Sequence, residues 1–254
     1  MLLLVALIGG QLRSQAQVEN VQNIKKREKS ANNAVLFNFY YTALFPVGEL
    51  SHRFGFSNNV GFNVSYKMQK NWLIGVEGAY FFGNSVKELQ EFSGVATSTG
   101  QFITTDGNLQ GISAELSGFD FKLRVSKIIP VTKKNPNSGV LLSLAGGFLQ
   151  HKIWVNVDER QLPQFDKTYR KGYDRLTNGP EVTGFAGYLY LSRKHFLSFY
   201  GGVEYGIAFT QNRRNWDFEL MRKDDHNRLD MYIGLKVGWV IPVFTNKDNE
   251  EYYR

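Results

Sequence analysis

The feature that most constrains this chain is a strict alternation of large apolar side chains with small or polar ones. From Phe196 to Thr210, Leu197, Phe199, Val203, Tyr205, Ile207 and Phe209 fall on one side, and Ser198, Tyr200, Gly202, Glu204, Gly206 and Ala208 on the other. From Leu229 to Phe244, Leu229, Met231, Ile233, Leu235, Val237, Trp239, Ile241 and Val243 oppose Asp230, Tyr232, Gly234, Lys236, Gly238 and Val240. A period of two belongs to a strand; the 3.6-residue period of a helix would mix the two sets around its circumference. The same alternation runs through Val35 to Phe45, Val60 to Met68, Trp72 to Phe82, Phe119 to Val125 and Val140 to Val155. In Val182 to Leu191 both faces carry apolar residues, and the pattern is weakest there.

The connections alternate too. Gln69 to Asn71, about Pro130 to Ser138, and Ser192 to His195 are short; Asn84 to Ile112, Val157 to Pro180 and Gln211 to Asn227 are long, and Gly48 to Ser57 is intermediate. Short turns at one end and long loops at the other, around an even number of strands, are the arrangement of bacterial transmembrane barrels, whose long loops lie outside the cell. The chain is therefore predicted to be all-β: a closed, antiparallel, up-and-down transmembrane β-barrel of about eight strands over 34–245, with periplasmic termini. Closure is required in lipid, because every backbone polar group must be paired within the protein.

Outside the barrel, the apolar Met1 to Ile8 and the small residues of Ser14-Gln15-Ala16 predict a signal peptide over 1–16, although no basic residue opens it. A polar leader follows over 17–33, carrying Lys25-Lys26-Arg27-Glu28-Lys29, and a polar tail occupies 246–254. Beyond the N-terminus no apolar run approaches the roughly 20 residues of a spanning helix. The absence of cysteine excludes disulfides, thiolate zinc sites, cysteine nucleophiles and a lipid-anchor cysteine.

Alternation alone also fits a soluble, lipocalin-like barrel with its apolar face inward. The polar face here, however, is rich in Gly, Ser and Ala with isolated charges, which suits a narrow bore better than a water-facing wall. The apolar face carries aromatics near strand ends, Trp72 and Trp239 toward one end and Phe45, Phe82, Trp154 and Phe209 toward the other, as an aromatic girdle would. Along the proposed inner face lie Lys67, Lys122, Arg124 and Lys236 with Glu77, Asp120, Glu204 and Asp230, four charges of each sign. Glu77 and Lys122 are expected at similar heights, as are Glu204 and Lys236. At eight strands the bore admits only side chains, so these groups are expected to form a salt-bridged plug and not to line a channel.

The formal charge is +7, yet no clustered basic face with stacking aromatics supports nucleic-acid binding. The excess falls at the predicted periplasmic end, on Lys70, Lys127, Lys133, Lys134, Arg193, Lys194 and the Lys25 to Lys29 cluster, where it either meets anionic lipid headgroups or simply solubilises. The four histidines stand apart, and Asp224-Asp225-His226 reads as solvated loop, so no metal site is expected. No P-loop, dinucleotide fingerprint or nucleophile elbow occurs, and no nucleophile, base and orienting acid assemble; no enzyme activity and no cofactor are expected. The long loops are of mixed charge. Tyr169, Arg170, Tyr173 and Arg175 in one, and Arg213, Arg214 and Trp216 in another, are candidate partner-binding residues, or else pair into an ordered cap.

Along nearly its whole mature length the chain resembles small outer-membrane β-barrel proteins of the Bacteroidota. The likeness is carried by Pro46-Val47-Gly48-Glu49-Leu50 with Arg53-Phe54-Gly55, by Asn71-Trp72-Leu73-Ile74-Gly75-Val76-Glu77-Gly78, and by Asn135-Pro136-Asn137-Ser138-Gly139. It continues in Lys171-Gly172-Tyr173-Asp174-Arg175-Leu176-Thr177-Asn178-Gly179, Thr210-Gln211-Asn212-Arg213-Arg214, Arg228-Leu229-Asp230 and Gly238-Trp239-Val240-Ile241-Pro242. The resemblance implies location and fold more firmly than activity. It also implies, since some such barrels serve as accessory subunits of large outer-membrane machines, including those for barrel assembly and type IX secretion, that this chain could do so. The plugged interior and long loops point to other outer-membrane or cell-surface proteins as partners, and the basic rim to outer-membrane lipids. A small-solute pore or a lipid-modifying hydrolase is the competing reading.

Overall fold

In the computed structural model, which describes residues 33–244 apart from 88–91, 93, 95, 133–134, 159, 193–196 and 219, the alternating segments are long antiparallel strands. Three open the fold: β1 (Ala34–Gly48), β2 (Ser57–Lys67) and β3 (Trp72–Gly83). A small hairpin, β4 (Phe102–Ile103) and β5 (Leu109–Gln110), precedes β6 (Ser113–Pro130), β7 (Gly139–Asn156), β8 (Thr177–Tyr190), β9 (Ser198–Asn212) and β10 (Asn227–Phe244). The eight long strands pair with their chain neighbours, and β1 closes the ring on β10 from Ala34 opposite Phe244 to Gly48 opposite Asp230. The expected up-and-down barrel is the fold observed.

Following inward residues from Ala34 through Lys67, Leu73, Ser126, Ser143, Phe185, Glu204 and Gly234 returns to β1 at Leu44, ten residues beyond the start. Stagger of this kind goes with strands tilted roughly 35–45° to the axis and a bore just wide enough for side chains. Burial follows the sequence period. Leu123 is 63% exposed, while its neighbours Lys122 and Arg124 are 0% and 8% exposed. An exposed leucine between two buried cations inverts the arrangement of a water-soluble domain. Inside, Tyr200 and Tyr232 lie over glycines of the adjoining strand: a Cβ at Gly238 would fall 2.3 Å from the Tyr200 ring, and one at Gly206 2.3 Å from that of Tyr232.

Two boundaries differ from the sequence reading. The long connection expected to run to Pro180 ends earlier, because β8 begins at Thr177. Proline lacks the N–H a ladder needs, and the β8–β9 pairing passes from Asn178 opposite Gln211 directly to Glu181 opposite Ala208. Strand β6 extends beyond Phe119 to Val125 at both ends, to Ser113 and Pro130. The ambiguous faces of β8 resolve into Phe185 and Leu189 inward with Val182 and Tyr188 outward.

The ends of the ring are unlike. Short turns at 68–71, 131–138 and 191–197 close one, and Asn71 supports its turn with φ of 61°, in the left-handed region that asparagine tolerates. The other carries the long loops, among them a one-turn helix α1 (Glu49–Arg53). The predicted signal peptide, nearly all of the leader, the tail, and Lys133, Lys134, Arg193 and Lys194 of the basic end lie outside the described residues. No described helix is long and apolar enough to cross a membrane.

Candidate functional site

Period-2 alternation on β3, β6, β8, β9 and β10 turns seven ionic side chains into the bore near mid-height. Glu77 and Lys122 are direct register partners. Arg124 grips Glu77 with two nitrogens, Nε to Oε2 at 2.6 Å and Nη2 to Oε1 at 2.9 Å, and reaches Glu204 Oε2 at 2.8 Å. Lys236 Nζ bridges the same two carboxylates at 2.9 and 3.0 Å. Lys122 Nζ donates to Asp120 at 2.7 Å and stands 3.7 Å from Glu77 and 3.8 Å from Glu181. Tyrosine hydroxyls add to the shell: Tyr40 donates to Glu77 at 2.9 Å and Tyr232 to Glu181 at 2.6 Å, while Asp120 Oδ1 and Glu181 Oε2 accept no hydrogen bond among the described residues. The Lys236 ammonium also rests 3.8 Å from the centre of the Tyr40 ring. Charges this dry persist only when paired and hydrogen-bonded, and the two-pronged arginine contact is the strong form of that pairing.

Six of the eight inner charges read from the sequence thus meet in one belt, and two do not. Asp230 sits nearer the long loops, where it accepts from Thr210 Oγ1 at 2.6 Å, bonds His151 Nε2 at 2.9 Å and pairs with Arg53 of α1. Lys67 lies at the short-turn end, its Nζ donating to Asn137 Oδ1 at 2.8 Å. Nearby, Asn71 Nδ2 donates to the Pro136 carbonyl at 2.9 Å, and Asn135 Nδ2 to that of Leu191 at 2.8 Å, so the β6–β7 turn is fastened to its neighbours. Between this turn and the belt is a cavity of about 40 Å³ lined by Asn38, Asn63, Ser65, Ser126 and Ser143 among others. That is room for a few waters.

Sequence reasoning missed Glu181, Arg53 and His151. Glu181 follows the proline taken as loop, and Arg53 lies in a turn where periodicity says nothing. His151 did carry a signal: it shares the inward parity of Leu149 and Ile153 on β7.

From the belt toward the long loops the filling changes from ionic to apolar, with the Asp230 group set within the apolar layer. Leu44, Leu50, Phe54, Phe81, Leu116 and Leu149 are buried around Tyr232, and the loops add Phe92, Phe102, Leu162, Phe165 and Tyr173 to the same cluster. Phe165 lies 5.2 Å from Phe102, 5.7 Å from Phe92 and 5.5 Å from Tyr173 between ring centres, and Phe218 packs tilted against Tyr173 at 4.9 Å. Aromatic packing of this kind gives three loops a common core.

The candidate partner residues fall into two groups. Tyr173 is 9% exposed inside the cap, so it packs the lid and presents no anchor; burial pushes its hydroxyl pKa up. Arg175 Nε donates to Asp217 at 3.1 Å, and Arg214 pairs with Asp174. Both ion pairs tie the loop between β7 and β8 to that between β9 and β10. Tyr169 and Trp216 remain exposed, Arg170 stacks 5.3 Å from the Trp154 ring, and Arg213 is held by Asn178 and Gln211. Of Asp224-Asp225-His226, Asp224 is occupied by Arg228 and by Asn212 at 3.4 Å.

No protein-family model and no curated protein matches the chain. Solved structures do. Neisserial surface protein A is 10% identical, with 84% of this chain and 97% of that one covered and a TM-score of 0.43. Ail, the attachment invasion locus protein of Yersinia pestis, solved with the heparin analogue sucrose octasulfate, is 10% identical over 84% of this chain and 99% of its own, at a TM-score of 0.40. The outer membrane protein OprG from Pseudomonas aeruginosa is 10% identical over 84% and 97%, at 0.37.

Proposed function

We propose that this chain is a non-enzymatic barrel of a bacterial outer membrane, with its termini in the periplasm, that does not conduct and works as a structural or accessory subunit of a larger outer-membrane complex for barrel assembly or protein secretion. The membrane part of the reading is supported by the exposed apolar band, in which Leu123, Leu144 and Leu235 are all more than half exposed while the bore holds the charges. Such a wall is stable against hydrocarbon and costly against water. The orientation is supported by the contrast between short turns and long loops.

The observation that carries the functional part is the double filling of the bore. The belt of Glu77, Arg124, Glu204 and Lys236 fills mid-height, and the Phe92–Phe102–Phe165 cap lies over it. A barrel filled in this way has its outside left for work, and two of its long loops are tied to each other by the Arg175–Asp217 and Arg214–Asp174 ion pairs. His151 is committed to Asp230 inside the wall, which leaves it no role toward a lipid substrate. Planar-bilayer recording and a tagged pull-down from gently solubilised membranes test the reading. We expect no conductance steps and a discrete co-purifying outer-membrane assembly; stable single-channel steps, or a protein that stays monomeric and alone, would overturn it.

A further inference from the structure

The outward face does not end the same way around the whole ring. On β10, β1 and the α1–β2 side it stays apolar up to the long loops, where Leu229, Val47 and Phe56 are exposed. On β7, β8 and β9 it turns polar sooner: Gln150, Asn178 and Gln211 stand side by side in register, above the exposed Phe148 and Phe209. Asn178 Nδ2 donates to Gln150 at 3.3 Å, Arg213 Nε to Asn178 Oδ1 at 2.6 Å, and Arg213 Nη1 to Gln211 at 3.2 Å. The guanidinium is therefore aimed by neutral acceptors, with no ion pair among the described residues.

Lys152 repeats the situation two strands away. It stands two residues above Gln150, as Arg213 stands two above Gln211, so the two backbone positions share one level on either side of β8, with two strand spacings of about 4.8 Å between them. Its Nζ lies 4.9 Å from the centre of the exposed Trp154 ring, and it too makes no ion pair among the described residues. Glu115 faces Trp154 from β6 and pairs with neither cation. Beside Arg213 an open groove of about 470 Å³ runs along Phe209, Gln211, Asn227 and Leu229. The acid lining it, Glu49, already accepts the Leu229 N–H at 2.8 Å.

We propose that this patch holds the phosphate-bearing headgroup of an outer-leaflet glycolipid, with Lys152 and Arg213 on the phosphates, Trp154 at the headgroup boundary, and acyl chains along Phe148 and Phe209. Two cations with no ion pair among the described residues, placed just above an apolar band, are at headgroup level, and arginine takes phosphate in a two-pronged contact. The inference rests on the membrane reading and on the long loops facing outward.

Insertion into phosphatidylcholine vesicles is scored first, by the compact, heat-modifiable band of a folded barrel. Failure there sinks the membrane reading itself. With protein folded in a maltoside detergent, binding and thermal unfolding are then followed with bisphosphorylated lipid A, with its dephosphorylated form and with inorganic phosphate. Bisphosphorylated lipid A is expected to bind and raise the unfolding temperature, and the other two to leave it unmoved. The double variant Lys152→Ala with Arg213→Ala should bind roughly 30-fold more weakly and unfold at the same temperature as the parent without lipid. Equal binding of dephosphorylated lipid A, undiminished binding by the double variant, or the same shift from inorganic phosphate would each overturn the proposal while leaving the barrel reading intact.

Discussion

The charged belt and the aromatic cap are successive layers of one bore, yet they are held by opposite chemistry. In the belt every partner comes from a strand, so Glu77, Arg124, Glu204 and Lys236 meet because the ladders fix their heights. In the cap the contributors come from loops, and Phe92, Phe102 and Phe165 meet because burying their rings offsets the entropy of ordering long connections. The belt gains little net stability over an apolar filling, since desolvation consumes most of the Coulomb attraction, but it penalises any closure that mispairs it. The cap stabilises directly and specifies less. The two layers should therefore fail differently, the belt taking the whole barrel with it and the cap opening alone.

The largest expected effect follows from removing the acid at the centre of the belt. Glu77→Leu leaves Arg124 and Lys236 with only Glu204 as a near acceptor, and takes from Lys122 and Tyr40 a partner each. The barrel should lose about 3–5 kcal/mol, read as a lower urea midpoint for unfolding from vesicles on every probe at once. An unchanged midpoint would mean that the bore is wetter than its packing allows.

Next in size, Phe165→Ala removes a fully buried ring and should cost about 3 kcal/mol. Here the loss should appear as protease cleavage and hydrogen exchange within 157–176, with the heat-modifiable mobility of the barrel kept. Cooperative loss of both would erase the distinction between the layers.

Tyr232 joins them. Its hydroxyl donates downward to Glu181, and its ring packs 6.2 Å from Phe81 in the apolar layer. Tyr232→Phe keeps the ring over Gly206 and deletes one hydrogen bond to a carboxylate, for about 1.5–2 kcal/mol. Because the lost bond belongs to the belt, the effect should appear in global unfolding and not in loop protection, which a combined urea and hydrogen-exchange series would separate.

The same contrast explains what the sequence made legible. Strand partners were readable because lipid on one face and a narrow bore on the other force a period of two, and register then brings Glu77 opposite Lys122. Where that forcing weakens, reading fails. In β8 the inward Phe185 and Leu189 match the outward Val182 and Tyr188 in hydropathy, and Pro180 interrupts the ladder just before Glu181. The sequence allowed an ordered cap through pairing of the loop Arg and Tyr residues, but the aromatic core of that cap left no trace because loop rings follow no period, and Tyr173 is distinguished from a surface anchor only by where its loop folds. Asp230 and Lys67 share the parity of the belt but not its height, and height depends on the stagger of the closed ring, which alternation along one strand does not contain.

The smallest effect expected is on the outermost tie, between the ionic and apolar ways of ordering a loop. Burial pushes the Asp224 carboxyl up, but the hydrogen bond and charge of Arg228, with the N–H of His226, outweigh it and hold its pKa below the ordinary aspartate value. A carboxylate depressed in the folded state contributes stability above its unfolded pKa, near 3.9, and loses that contribution as pH falls through the lower folded value. Tyr173 in the cap is shifted the other way by burial and is neutral throughout that range. Lowering the pH from 6 to 3 should therefore loosen the 213–226 loop, seen as faster amide exchange at His226 and Asn227 after correction for the intrinsic rate, while amides around Phe165 stay protected. In Asp224→Asn the loop should be loosened already at pH 6 and change no further. If the parent's 213–226 and cap amides lost protection together on acidification, the outer loops would form one layer held by carboxylates, and the aromatic core would not be what orders them.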